Sequence, residues 1–393
     1  MCFSSNHLGS LGFYRDRVAA ESGEAQQASL LEPTEPSAAA VAFSDVHIAS
    51  SCLQKALRRG ELNIAWAAAR YLLHADPERL WRRLCVVAFE DFGLVDLSVT
   101  ARVVAVAASK AFRIVQGEER VLGHLIGLLC GLPKDRRLDD LYALGVGVLA
   151  DSARQTIVAA NPLSAIVAPL VHETSRLIAR CERTVPRRSF RSISPDACER
   201  ALGAMAKRGL VDDGLFELCA KGVRLSRCLL PVLLPLAIEA TEAAGGLGEV
   251  VEQDLPAVPL IFGVPAYAID GFTRGGRAIL ARLGSDEPRL KQLLAQLPAS
   301  ARLDVLHHLL FFAEGGRCNV LISDSLSQAL YCEAVACGAR LPHEAATAAV
   351  ALMAELLPSV HARRAAYMAG LPGATASALT AITPDPTHKE HLS

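Results

Sequence analysis

Residues able to bind an anion or to transfer a proton are concentrated in two short segments of the sequence. The first holds Asp270, Thr273, Arg274 and Arg277 among three glycines, and glycine lets a backbone approach a ligand closely. We expect Asp270 or Thr273 to cap a helix here and the two arginines to favour an anion at its N-terminus. One interpretation is therefore an enzyme site, in which this segment and a histidine would line a cleft.

The second segment is the adjacent carboxylate pair Glu90 and Asp91, followed by Gly93 and Asp96. A carboxylate pair can serve acid–base chemistry or bind Mg²⁺. Neighbouring side chains on a helix diverge by about 100°, so both carboxylates cannot easily reach one substrate atom. We therefore interpret the pair as structural, with each carboxylate held by a loop amide or by an arginine. The candidate arginines are Arg59, Arg82 and Arg83.

Two groups of basic residues are candidates for contacts with nucleic acid or with an acidic partner. They are Lys55, Arg58 and Arg59, and Arg187, Arg188 and Arg191. Lys55 and Arg59 lie on one helix face. The alternative interpretation is that this face is a solvated helix end, where the positive charges offset the helix dipole. The second group is alternatively part of an exposed linker. Because the net charge is −1, any DNA contact would depend on such local patches.

Several common catalytic motifs are absent from the sequence. It contains no Walker A loop, no dinucleotide-binding glycine pattern, no G-x-S-x-G elbow and no H-E-x-x-H pair. The eleven cysteines include no C-x-x-C, which favours buried thiols in a reducing compartment over a metal cluster. We therefore predict a non-catalytic protein that binds no cofactor and no metal.

The elements that must position these residues are predicted to be helices. Hydrophobic residues make up 51% of the chain and aromatic residues only 5%, with alanine and leucine, both strong helix formers, in the majority. Start and stop signals divide 46–112 into four short helices, with Gly60 as a C-terminal glycine and Asp76-Pro77 as a cap and first turn. Only Asn319–Ser323 suggests a strand. The fold class predicted is all-α, a multi-helical bundle.

Composition changes along the chain predict its organisation. We expect a disordered segment over 1–44, a helical domain over 45–183, a basic linker over 184–196, a second helical domain over 197–370 and a flexible tail over 371–393. Prolines interrupt the two most apolar stretches, Leu225–Ile238 and Leu255–Ile269, and each is shorter than the roughly 20 residues of a membrane span. The prediction is a cytoplasmic protein that does not cross a membrane.

Three motifs in the order of a known family lie in the first helical segment. They are Leu53-Gln54-Lys55-Ala56-Leu57-Arg58-Arg59-Gly60, the Asp76-Pro77 start that leads to Arg82-Arg83-Leu84, and Phe89-Glu90-Asp91-Phe92-Gly93-Leu94-Val95-Asp96. About 65 residues around them resemble the C-terminal helical domain of the RarA/MgsA-type replication-associated recombination proteins, which are AAA+ proteins. The chain departs from that pattern at Leu97, where the family has proline, and in lacking an ATPase motif.

The resemblance implies a helical domain that is similar to a clamp-loader collar and serves oligomerisation. It implies a non-catalytic accessory protein of DNA replication, repair or recombination, which forms a homo-oligomer and has DNA or a replisome protein as a candidate partner. A helical interaction scaffold unrelated to DNA is the remaining alternative.

Overall fold

The computed structural model describes residues 14–21, 43, 45–150, 164–184, 191–370 and 380–381. It is 76% helical, with a few short strands. This confirms the predicted all-α, multi-helical bundle.

The helices before the predicted linker form a continuous series. They are α1 (14–21), α2 (Val46–Arg59), α3 (Leu62–Ala75), α4 (Pro77–Val87), α5 (Leu97–Ala107), α6 (Lys110–Gln116), α7 (Glu118–Gly131), α8 (Arg137–Ala150) and α9 (Ser164–Cys181). A π-helical turn, Ala88–Phe92, extends α4. The carboxylate pair of the sequence analysis lies in this turn.

The helices after the predicted linker are of similar length. They are α10 (Pro195–Lys207), α11 (Asp213–Ser226), α12 (Leu230–Ala243), α13 (Arg274–Asp286), α14 (Pro288–Ala295), α15 (Ala299–Leu310), α16 (Ser325–Ala339), α17 (His343–Glu355) and α18 (Leu357–Ala369). A second π-helical turn, Phe311–Gly315, extends α15.

The strands form three small antiparallel sheets. They are β1 (Glu182–Thr184), β2 (Arg191–Ile193), β3 (Glu249–Glu252), β4 (Pro259–Ile261), β5 (Val264–Pro265), β6 (Val320–Ser323) and β7 (Thr380–Ala381). β1 pairs with β2, β3 pairs with β6, and β4 lies between β5 and β7. β6 confirms the single strand that the sequence suggested.

Local capping explains where several helices begin and end. The Asp45 carboxylate accepts from the backbone amides that open α2, and Gly60 ends this helix at a φ of 68°, a conformation that glycine adopts without steric cost. Asp76 caps α4 with Pro77 at its first position. Asp96 caps α5 through the amides of Ser98 and Val99. The predicted stop signal at Gly60 and the predicted start signal at Asp76-Pro77 are confirmed.

The hydrophobic core runs without a break through both predicted domains. One cluster of buried side chains extends from Tyr14 to Val360, and Phe89 of the first segment packs against Gly222 of the second. The backbone of Lys134 hydrogen-bonds to β6 through Val320 and Ile322, at 3.0 and 2.8 Å. The boundary predicted at 184–196 therefore does not separate two hydrophobic cores, because helices from both sides bury the same surface.

The predicted disordered segment also needs a correction. Residues 14–21 form α1, in which Tyr14 and Val18 are buried one turn apart. The remainder of 1–44, apart from residue 43, lies outside the described residues, as does 371–393 apart from β7.

None of the described helices is by itself long and apolar enough to cross a membrane. The only candidate among them is α17 with α18, a pair that passes a length and composition test together and is bent by 51°.

Candidate functional site

A buried set of ion pairs joins α2, the first π-helical turn and the start of α8. We call Arg58, Glu90, Asp91, Arg136 and Asp139 the ion-pair frame. The Arg58 Nε lies 3.0 Å from both carboxylate oxygens of Asp91, and its guanidinium also donates to Glu90. Arg136 bridges Asp91 and Asp139. Asp91 is completely buried and Arg58 is 2% exposed, so these charges are stabilised by one another rather than by water.

The carboxyl groups of the frame differ in the direction in which their pKa values are shifted. Burial alone would raise the pKa of Glu90, but Arg58 and Arg136 outweigh burial and lower it. Burial raises the pKa of Asp139, which shares a hydrogen bond with Glu90, and Arg136 only partly offsets that rise. Of these two carboxyl groups, Asp139 therefore binds a proton more readily than Glu90, which lies beside the two arginines.

The arginine partners predicted for Glu90 and Asp91 were wrong. Arg59 pairs with Glu61, and Arg82 pairs with Glu78 on the surface. Arg83 reaches the frame only indirectly, since it donates to Gln54, which in turn donates to Glu90 at 2.6 Å. Arg58 and Arg136 take the predicted role because α2 and the start of α8 lie on either side of the π-helical turn.

The first basic group is buried, contrary to both sequence interpretations. Lys55 is 5% exposed and pairs with Asp270. Arg59 places its guanidinium over the Tyr267 ring at 5.3 Å and has a side chain that is 6% exposed. With Arg58 in the frame, these three cations meet carboxylates from other elements inside the protein. A nucleic acid cannot reach them, and they do not form a solvated helix end.

The second basic group is described only in part. Arg187 and Arg188 lie outside the described residues. Arg191 begins β2, where its backbone is opposite Thr184.

The predicted anion site around Asp270 is also changed by the structure. Asp270 accepts from Ser51 at 2.9 Å and from the Phe272 amide at 2.9 Å, in addition to Lys55. Although burial opposes it, Lys55 lowers the pKa of Asp270. This carboxylate is therefore ionised and already saturated with donors, which leaves it little capacity to act on a substrate.

Thr273 confirms one of the two alternative caps. Its hydroxyl accepts from the Gly276 amide at 3.0 Å at the start of α13, while Arg274 and Arg277 are exposed. The nearby His307 ring is largely buried, which lowers its pKa to about 4. Asp270, Thr273, Arg274 and Arg277 do not line the cavity described below.

A cavity of about 310 Å³ lies on the other side of the frame, between the start of α8, β6 and α16. Its lining combines charged, aromatic and amide side chains. They include Arg136, Arg137, Asp140, Arg317, Phe312 and Tyr331. The volume is at the lower end of the roughly 300–1,000 Å³ of small-molecule sites. Arg136 belongs to both features, so the frame forms one wall of the cavity.

Arg137 is held firmly at this wall. It is 1% exposed, donates to Thr241 at 2.9 Å and lies 2.5 Å from the carboxylate of Asp324. Asp324 also caps α16 by a reciprocal arrangement with Ser327. The cation is thereby neutralised and oriented before any ligand arrives.

Asp140 differs from every other carboxylate described so far. It is 3% exposed, and burial raises its pKa well above the usual value, with Arg136 opposing the rise and Asp139 and Asp135 adding to it. Its carboxyl forms no hydrogen bond to the residues that the structure describes, and it lines the cavity. The raised pKa favours the protonated carboxyl, which offers one O–H donor and one acceptor to the cavity.

This site was not predicted from the sequence. Its residues come from the run Lys134-Asp135-Arg136-Arg137-Leu138-Asp139-Asp140, in which six of seven side chains are charged. Such a run is ordinarily a solvated surface, and here Lys134, Asp135 and Arg137 are each at most 3% exposed. One available signal was that the run leads directly into the apolar part of α8, where a solvated segment is not expected.

No family model, characterised protein or solved structure gives a significant match to this chain. Among the described residues, no group of histidine, cysteine, aspartate and glutamate side chains is arranged to hold a metal ion.

Proposed function

We propose that this chain is a non-catalytic accessory protein of DNA replication, repair or recombination that acts by binding partners, including further copies of itself. The motifs that resemble the RarA/MgsA-type helical domain support this proposal, because their residues have structural roles in this chain. The first and third motifs connect separate elements of the fold, and the second begins α4. The motif residues therefore serve a helical framework, as the resemblance implies.

The individual joints can be named. Gly60 lies against Asn319, so that a side chain at this position would collide with it. Glu90 and Asp91 bind Arg58 and Arg136. Asp96 caps α5. A motif maintained for such joints is compatible with a collar-like role without an ATPase module.

Self-association is supported by the most exposed apolar side chains of the first segment. Ile114 and Val115 of α6 are 61% and 80% exposed, and adjacent exposed apolar residues of this size are typical of contact sites. We expect a homo-oligomer at micromolar concentration in light scattering. Replacing both residues by glutamate should give a monomer, whereas Val250→Glu, an equally exposed change in β3, should leave the mass unchanged.

A second candidate is a helical interaction scaffold unrelated to DNA. The observation in its favour is that Lys55, Arg58 and Arg59, half of the cations expected to contact phosphates, are buried in ion pairs. If DNA is bound, the contact depends on Arg187, Arg188 and Arg191.

Fluorescence anisotropy with labelled single- and double-stranded DNA at several salt concentrations separates the two candidates. The accessory role predicts binding that weakens with salt, and a salt slope reduced by up to about three charge equivalents when those three arginines become alanine. No binding at low salt would exclude direct DNA contact and leave the scaffold. ATP hydrolysis that persists through purification would contradict both.

A cytoplasmic location is part of the proposal. The ten cysteines of the described part of the chain are free thiols, which is usual in a reducing compartment.

A further inference from the structure

The cavity lining includes a carboxyl group that forms no hydrogen bond with the described residues. Asp140 is 3% exposed and lines the cavity without a hydrogen bond from any described residue. A buried polar group without a partner costs free energy, so it is retained only where something outside the fold supplies the partner. We call the carboxyl of Asp140 the floor of the cavity, because it is available to a group that enters there.

The chemistry of Asp140 restricts what can bind. An uncharged carboxylic acid presents one O–H donor and one carbonyl acceptor side by side. Its complement is a planar group with an adjacent acceptor and donor, such as a ring nitrogen beside an amino group. A metal cation is a poor fit, since Mg²⁺ and Ca²⁺ are held by ionised carboxylates.

Aromatic side chains supply the surface for a planar ring. Tyr331 is 42% exposed and packs edge to face against Phe312, with ring centroids 5.5 Å apart. Burial raises the pKa of the Tyr331 hydroxyl, Asp140 adds to this rise and Arg317 opposes it. Asp140, Arg317 and Tyr331 all line the same cavity.

Arg317 is the arginine of the cavity lining that is not paired with a carboxylate of the described residues. Arg136 and Arg137 are paired with Asp91, Asp139 and Asp324. Arg317 has no carboxylate partner within the described part of the chain, and the hydrogen bond that its guanidinium donates to the Asp254 carbonyl is 3.4 Å long. A partly exposed guanidinium in this position suits a phosphate.

We propose that this cavity binds a nucleoside monophosphate, with the hydrogen-bonding edge of the base on Asp140, its ring against Tyr331 and its phosphate on Arg317. The same chemistry is offered by a free nucleotide and by a single base of a nucleic acid strand. The inference does not depend on the accessory role proposed above, because it concerns a different part of the molecule.

Calorimetric titration of the full chain with adenosine 5′-monophosphate tests the proposal. Purine riboside 5′-monophosphate lacks only the amino group and should bind on the order of tenfold more weakly. Adenosine should also bind more weakly, and in Arg317→Gln it should bind as well as the nucleotide does. Arg282→Gln, which removes an exposed arginine of α13 away from the cavity, should behave as wild type.

Two variants at the floor of the cavity complete the test. Asp140→Asn keeps a donor and an acceptor and should retain binding, whereas Asp140→Leu has a similar size and should remove the difference between the two purine nucleotides. Thermal melting verifies that both variants fold. Failure of adenosine monophosphate to bind wild type would overturn the proposal, and so would an undiminished preference for it in Asp140→Leu.

Competition between the nucleotide and a single-stranded ten-residue deoxyadenylate identifies the source of the base. Displacement of bound nucleotide by the oligonucleotide at lower concentration would assign the cavity to an extruded base, and the reverse order would assign it to a free nucleotide. Binding of the oligonucleotide that is unaffected by Asp140→Leu and does not compete with the nucleotide would place the strand elsewhere, at the basic run tested under the proposed function.

Discussion

The ion-pair frame and the cavity floor both use residues of the charge run 134–140, but these residues differ in whether they have partners. In the frame, Arg136 and Asp139 meet each other together with Asp91. At the floor, one residue further along α8, the Asp140 carboxyl has no hydrogen-bond partner among the described residues, and burial raises its pKa. Apart from Asp139, whose side chain is 21% exposed, the residues of both regions are buried, so burial by itself does not distinguish them.

The difference separates a structural role from a binding role. A buried charge that is fully paired contributes to one defined arrangement of the helices, and removing one partner leaves another charge stranded. A buried acid that is unpaired contributes no such constraint and is free to bind a ligand. Substitutions in the frame should therefore lower the free energy of unfolding, whereas a substitution of Asp140 should raise it.

Asp91→Asn should produce the largest loss of stability. The substitution keeps the size of the side chain but removes the carboxylate that Arg58 and Arg136 share. Leaving two buried guanidinium groups with reduced compensation should lower the free energy of unfolding by about 3–5 kcal/mol, as measured by urea denaturation.

The matched control is Glu78→Gln, which breaks a surface pair with Arg82 where the Glu78 side chain is 70% exposed. We expect a loss of no more than about 1 kcal/mol. If the two substitutions cost the same, the frame does not have the structural role assigned to it.

Gly222→Ala should have a smaller effect on the same joint. A methyl group at this position of α11 would collide with the ring of Phe89, which precedes the two carboxylates of the π-helical turn. Overpacking of this kind costs roughly 1–3 kcal/mol. In α10, Gly203 has open space around it, so Gly203→Ala should raise stability by up to about 1 kcal/mol. A stabilising Gly222→Ala would mean that the two helices are less closely packed than described.

Asp140→Asn should have the smallest effect, and in the opposite direction. The folded protein holds a proton on Asp140 that the unfolded chain releases above a pKa of about 3.9. Wild-type stability therefore falls as the pH rises from about 4 towards the raised pKa of the folded state. Asparagine has no proton to release, so the variant should exceed wild type by about 1 kcal/mol or more at about pH 7 and match it at about pH 3. Equal curves for both proteins across this range would show that Asp140 is ionised in the folded state.

Much of the helical framework could be predicted from the sequence because its signals are local. An Asp76-Pro77 start and a glycine at position 60 act through the backbone within one turn, and each has its predicted role. Asp96 acts in the same local way as the cap of α5, a role that was not predicted. The apolar stretch Leu225–Ile238 was predicted not to span a membrane, and most of it forms the buried α12. Such features depend on neighbours that the sequence itself lists in order.

The candidate site could not be predicted in the same way, because its contacts join positions that are far apart in the chain. Lys55 meets Asp270 across 215 residues, and Arg137 meets Asp324 across 187. The sequence determined that Lys55, Arg58 and residues 134–140 are strongly charged. Only the tertiary structure decided that these charges are buried, since the burial of a charge depends on whether packing brings it an opposite charge, and that Asp140 alone among them faces a cavity without a partner.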